Sequence, residues 1–276
     1  MNIDSLSHLS MDGKTAVVTG STQGLGETIA HLFADRGVAQ LVITGRNAER
    51  GAKVKAALEA KNVKTVFVQA DLSKMADVRR VIAACESSFG RIDALVNAAA
   101  LTDRGSIWDT TEERYDEIFD VNVKAPFFLM QDALQLMKGS KTQGTIVNIL
   151  SMSGHGGQDF ISAYCGSKGA LATLTRNVAF SVMNYQIRVN GLNIGWMDTP
   201  GEDRIMKTYH DAESGWLQKA EAGRPFGRLL KPAEVARAVA YLSSAESGLM
   251  TGSIIDFDQQ VLGAANATPE PPPANW

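Results

Sequence analysis

The chain has 276 residues, 27 Lys+Arg against 30 Asp+Glu, a formal charge of −3 and 45% hydrophobic residues. That is enough chain to bury a full core, and the near-neutral charge with no basic block argues against nucleic acid or a membrane surface as partner. No apolar run approaches the ~18 residues of a membrane span, the polar first ten residues lack the apolar core of a signal peptide, and Cys85 and Cys165 have neither a disulfide framework nor metal-ligand spacing. A cytoplasmic protein with no metal site is expected.

Residues 1–13 carry little periodic signal and read as an N-terminal arm. Strand-sized apolar runs then follow at Ala16–Val18, Leu41–Ile43, Val66–Val68, Ala94–Val96, Ile146–Ile149 and Ile187–Val189, with a seventh at Ser253–Phe257. Between them the spacing is helical: Val78, Val81, Ile82, Cys85 and Phe89 share one face, as do Leu171, Leu174, Val178 and Val182. Near-continuous apolar strands separated by helices predict an α/β fold, a doubly wound, mostly parallel seven-stranded sheet covered on both faces. One domain over residues 14–262 accounts for this pattern. Half of the eight prolines fall in the last eight residues, so 263–276 reads as a proline-rich tail.

In such a fold, ligands gather outside the carboxyl ends of the strands. After the first strand comes Thr19-Gly20-Ser21-Thr22-Gln23-Gly24-Leu25-Gly26, whose glycines allow a tight turn and let a pyrophosphate approach backbone N–H groups at a helix N-terminus. After the second strand, an NAD site expects an acid for the ribose, but this chain has Thr44-Gly45-Arg46. Arg46 either grips a 2′-phosphate or opens the next helix into solvent; the first reading favours NADP over NAD. Asp71-Leu72 closes the third strand, with Asp71 either an acceptor for adenine or a turn and capping residue. The fourth strand ends Asn97-Ala98-Ala99-Ala100, and the fifth at Ser151-Met152-Ser153. Thirteen residues beyond Ser151, Tyr164 opens a helical stretch with Lys168 at i+4. That spacing puts phenol and ammonium on one helix face, about 6 Å apart along the axis. A cation there favours phenolate, drawing the tyrosine down toward working pH.

These residues resemble the short-chain dehydrogenase/reductase family in its single-domain branch. The match rests on Thr19-Gly20-x-x-x-Gly24-x-Gly26, Asn122, Ser151, Tyr164-x-x-x-Lys168, and Gly195 before Trp196-Met197-Asp198-Thr199, in family order from about Lys14 to Asp258. The resemblance implies hydride transfer between nicotinamide and an alcohol or carbonyl carbon. It makes Tyr164 the general acid or base, with Lys168 lowering its pKa and binding the nicotinamide ribose. Ser151 would hold the substrate oxygen, and Asn122 would support a proton path through Lys168. Gly195, Met197 and Thr199 match cofactor-contacting positions, and the family is commonly dimeric or tetrameric. Three departures stand out. Only Asn97 survives of the usual Asn-Asn-Ala-Gly, which puts local hydrogen bonding in doubt; Ile194 replaces a proline before Gly195, which predicts a looser turn; and Asp258-Gln259-Gln260 replaces Asp-Gly-Gly.

Residues 196–228 read as a substrate lid. Trp196, Asp198, Glu202, Tyr209, His210 and Trp216, with Ser153 and His155 near the same mouth, mix aromatic and polar groups. That mixture suits a sugar, polyol or similar small polar substrate. Two alternatives stay open: a reductase of 3-oxoacyl thioesters or hydrophobic ketones, and a nucleotide sensor that kept the fold and lost catalysis. The long apolar helix after Tyr164 predicts a subunit interface of a homodimer or homotetramer.

Overall fold

The computed structural model describes residues 10–262. β1 (Thr15–Val18), β2 (Gln40–Gly45), β3 (Lys64–Gln69), β4 (Ala94–Asn97), β5 (Thr145–Ser151), β6 (Arg188–Ile194) and β7 (Ile254–Phe257) form one sheet in the order β3-β2-β1-β4-β5-β6-β7. Every pairing is parallel. Successive strand residues point to opposite faces, and each face takes its own helices. Val17, Val42 and Leu95 pack with α3 (Met75–Phe89), α5 (Ala125–Gly139) and α6 (Ser162–Val182). Ala16, Val18, Leu41 and Ile43 pack with α1 (Gly24–Asp35), α2 (Ala48–Glu59) and α9 (Pro232–Ser243). Three further helices lie outside these layers: α4 (Glu112–Phe119) after β4, and α7 (Pro200–Tyr209) and α8 (Trp216–Ala222) in the 196–228 segment expected to be a lid.

The predicted helix face of α3 is the buried one; Cys85 lies on it, and burial pushes its thiol up to about 12. Two boundaries differ from the expectation. Met11 is fully buried, and its N–H donates to Arg36 O at 2.7 Å, so the packed body reaches into the 1–13 arm. Residues 1–9 of that arm and the 263–276 tail lie outside the described residues. β6 runs to Ile194, well past Val189, through Asn190-Gly191-Leu192-Asn193. Those asparagines hide the strand from a hydrophobicity reading, yet they are buried and bonded: Asn190 Nδ2 donates to Met250 O at 2.8 Å, and Asn193 Nδ2 to Asp256 Oδ1 at 2.7 Å. Among the described residues no helix is long and apolar enough to cross a membrane.

Sheet order reverses between β1 and β4, which opens a crevice beyond their carboxyl ends. The glycine loop leaves β1 there, directly opposite Asn97–Ala100.

Candidate active site

The crevice continues as a groove of about 250 Å³. Gly20 lies in the left-handed region at φ 64°, and a Cβ on it would fall 2.8 Å from Ala99 Cα. A Cβ on Gly26 would fall 2.4 Å from Gly20 O, so α1 starts hard against the loop. Gln23 precedes the helix without a side-chain cap. The first N–H groups of α1 therefore stay open toward the groove, as a pyrophosphate requires. Thr22, Gly24 and Leu25 of the loop, Arg46, Asp71 and Leu72 after β2 and β3, and Met197 and Thr199 after β6 line the groove. The groove thus gathers the predicted cofactor residues except Asn97, Gly195, Tyr164 and Lys168, and it adds one the sequence did not announce. Arg50 sits beside Arg46, brought there because Asn47 caps α2 and accepts from Arg50 N at 2.8 Å. The glycine loop fits the pyrophosphate of a dinucleotide, and the arginines after β2 fit a phosphate on its adenosine ribose.

The doubtful turn after β4 is held by Thr19. Its Oγ1 accepts from Ala98 N and Ala99 N, both at 3.0 Å, which settles the donors of a strand end that lacks the second asparagine. Asn97 Nδ2 donates to Asn148 Oδ1 at 2.8 Å inside the sheet. Asp71 is a turn residue as well as a groove residue, with Oδ1 accepting from Ser73 N and Oγ. The turn at Gly195 is firmer than Ile194 predicts: Gly195 N donates to Phe257 O at 3.1 Å, so the sheet pairing itself holds it.

The residues expected to transfer the proton meet at the end of β5. Ser151 is the last residue of that strand and is buried; Tyr164 and Lys168 are buried on the first turns of α6. Lys168 Nζ lies 5.7 Å from the Tyr164 ring centre and donates to Ile149 O at 2.8 Å. Burial draws the ammonium from 10.5 down to about 8. Tyr164 departs from expectation. Burial dominates and pushes its phenol up to about 12; Ser151 and Arg104 act downward, Glu202 and Cys165 upward. Lys168 is not among the groups that shift it; its ammonium donates instead to Ile149 O. Asn122 is buried on a π-helical turn, Asp120–Lys124, that joins α4 to α5. Its side chain holds Leu101 N and O at 2.8 and 2.9 Å and donates to Ser167 Oγ at 3.1 Å. It thereby ties the β4 loop to α6 one residue from Lys168, without itself touching the lysine.

Three of the four predicted substrate residues are engaged elsewhere. Asp198 Oδ2 pairs with Lys231 Nζ at 2.9 Å, and the same ammonium holds Glu221. His155 Nε2 meets Asn193 and Asp256 at 3.0 and 3.3 Å across the sheet end. Ser153 Oγ donates to Gln158 Oε1 at 2.5 Å. Trp196 remains in the lid, stacked on Trp216 at 6.1 Å with its indole N–H on Glu202 Oε1 at 2.8 Å.

With a glycine groove, a tyrosine–lysine helix and a strand-end serine in these positions, the chain belongs to the short-chain dehydrogenase/reductase family of NAD(P)-dependent oxidoreductases. A family model described as enoyl-(acyl carrier protein) reductase matches residues 20–259. The chain is 33% identical over 245 residues to an NADP-dependent (R)-specific alcohol dehydrogenase of Lentilactobacillus kefiri, covering 88% of this chain and 94% of that one. It is 31% identical to galactitol 2-dehydrogenase of Agrobacterium fabrum, covering 90% and 97%. L-sorbose reductase from Gluconobacter frateurii, solved with NADPH and L-sorbose, superposes with a TM-score of 0.85 at 27% identity, covering 94% of this chain and 100% of that one.

Proposed function

We propose that the protein is an NADP-preferring oxidoreductase that interconverts a secondary alcohol and its carbonyl on a polyol, sugar or similar polar small molecule. The observation that carries this reading is the convergence of Ser151, Tyr164 and Lys168 at the end of β5, beside a groove in which Arg46 and Arg50 follow β2 where an NAD site would carry an acid. The Gly20–Gly26 loop binds the pyrophosphate, and Arg46 with Arg50 the 2′-phosphate. Asn97, Gly195, Met197 and Thr199 border the nicotinamide half. When bound, the nicotinamide supplies or accepts the hydride. The chain's own groups move the proton. In reduction, the Tyr164 hydroxyl gives its proton to the substrate oxygen while Ser151 donates a hydrogen bond to that oxygen; in oxidation, Tyr164 takes the proton back. Lys168, with Nζ 5.7 Å from the Tyr164 ring centre, would favour the phenolate by its charge and hold the nicotinamide ribose. Asn122 holds the α6 backbone and the β4 loop in register for that path.

The polyol reading draws support from the polar groups at the lid and from the activities named for the galactitol and sorbose relatives. An acyl-thioester reductase would need a basic, pantetheine-accepting mouth, and the lid instead sets acids beside its cations. A sensor would have no need of the complete tyrosine, lysine, serine and asparagine set. We further propose a cytoplasmic homodimer or homotetramer; the exposed Phe180 on α6 supports a subunit interface on that helix. A screen of polyols, sugars and simple alcohols, followed by NAD(P)H absorbance with both cofactors, tests the reading. Tyr164→Phe lowers kcat by about 10²- to 10⁴-fold while NADPH still binds. Wild type inactive across the panel, with NADPH bound, would turn the assignment to the sensor.

A further inference from the structure

Proton transfer at Tyr164 does not explain how the pocket tells one alcohol from another. Two segments meet beside that tyrosine. The first is the stretch after β4. Its Gly105 bridges to Ile161: Gly105 N donates to Phe160 O at 3.0 Å, and Ser162 N donates to Gly105 O at 2.9 Å. This pairing lays Arg104 alongside the residues that run into Tyr164. The Arg104 guanidinium stands 5.2 Å over the Phe160 ring, and Nε donates to His210 Nε2 at 2.9 Å. Nη1 donates to Thr102 O at 3.2 Å, and Nη2 has no partner among the described residues.

The second segment is the start of α7. Thr199 caps this helix and accepts from Glu202 N at 3.1 Å. Glu202 Oε1 takes the Trp196 indole N–H, and Oε2 has no partner among the described residues. α7 faces the 103–104 stretch, with Arg204 Nη2 3.9 Å from Asp103 Oδ1 at its start and His210 on Arg104 Nε at its end. Burial holds the guanidinium below its ordinary range, with Glu202 and then Tyr164 countering; on the phenol, Glu202 and Arg104 act in opposite directions.

We propose that Arg104 and Glu202 form the substrate-reading pair, the guanidinium donating to one hydroxyl and the carboxylate accepting from another on a neutral polyol held at Tyr164. The assignment rests on the polyol reading above and gives it residues. A substrate carboxylate would meet Arg104 favourably but face Glu202 as well; a substrate ammonium would face the reverse. A neutral chain of hydroxyls uses both charges at once. An alkyl substrate uses neither and leaves Arg104 Nη2 and Glu202 Oε2 without partners, the situation that gives polar sites their largest selectivity.

The test uses the full chain with NADP and follows oxidation of sorbitol, galactitol and 2-butanol in wild type, Arg104→Gln and Glu202→Gln. The ratio of kcat/KM for the better polyol to that for 2-butanol falls by about 10- to 100-fold in each variant, the range of a hydrogen bond to a charged group. The pH profile of kcat separates a reading role from a merely structural one. Loss of the cation raises the phenol's pKa, so the acidic limb moves to higher pH in Arg104→Gln; loss of the anion moves it to lower pH in Glu202→Gln. Glutamine at 202 retains an acceptor for Trp196, so this variant decides the matter even where Arg104→Gln fails to fold. A selectivity ratio within twofold of wild type, or limbs that stay put or move together, overturns the pair while leaving the polyol reading intact. Wild type that oxidises 2-butanol and no polyol overturns both.

Discussion

Replacing Lys168 by methionine should make the enzyme nearly inactive and the apo-protein more stable, and the gain should vanish at alkaline pH. The ammonium is 2% exposed, with one hydrogen bond, to Ile149 O. Its pKa lies at about 8 in the folded chain against an ordinary 10.5, and at about 1.4 kcal/mol per pKa unit the buried charge costs about 3 kcal/mol. Methionine fills a similar volume without charge but forfeits the bond, worth about 1 kcal/mol. The net gain at pH 7 is about 2 kcal/mol. Because the folded pKa is the lower one, the unfolded chain binds more protons between pH 8 and 10.5. The cost is therefore present in full below pH 8 and is relieved as pH rises through that window. By pH 9.5 about 2 kcal/mol of it is gone, and variant and wild type should nearly coincide. Urea unfolding of both proteins at pH 7.0, 8.5 and 9.5, taken as a difference, cancels every other titration. A variant less stable than wild type at pH 7, or a difference flat from pH 7 to 9.5, would refute the reasoning.

Arg46→Asp should swing cofactor preference toward NAD by about 10- to 100-fold, the worth of a charge-assisted contact turned to repulsion; an unchanged ratio of kcat/KM for NADP and NAD would remove Arg46 from the 2′-phosphate site. Thr19→Val keeps shape but strands the N–H groups of Ala98 and Ala99, so it should lose about 2–4 kcal/mol in urea unfolding and weaken NADPH binding by isothermal calorimetry. Gln259→Gly should speed limited proteolysis near residues 224–228 while changing global stability by less than about 1 kcal/mol, because its side chain spans Phe226 N and Arg228 O at the exposed end of the lid.

Much of the fold was legible because burial on both faces of a parallel sheet writes itself as short β-branched runs, and the glycine loop and the Tyr164–Lys168 spacing are local. What was missed is non-local or polar. Asn190 and Asn193 continue β6 by bonding to the next strand and its lead-in, which no hydropathy pattern reports. The π-helical turn at Asn122 depends on contacts with Leu101 and Ser167. Asp198 and His155 read as pocket groups from the sequence, but their partners Lys231 and Asp256 lie 33 and 101 residues away. Arg104 carried no signal at all: residues 101–110 lack periodicity, and only the Gly105–Ile161 bridge makes that stretch part of the site.

That bridge also decides how the pocket can move. It joins the segment before α4 to the entry of α6, so the side of the pocket that holds Arg104 and Tyr164 behaves as one fixed jaw. The opposing jaw is α7 with α8, fastened across the gap by Arg204 to Asp103 at 3.9 Å and by His210 to Arg104. Separating α7 from that side would break these two contacts and leave the Gly105–Ile161 bridge and the entry of α6 in place.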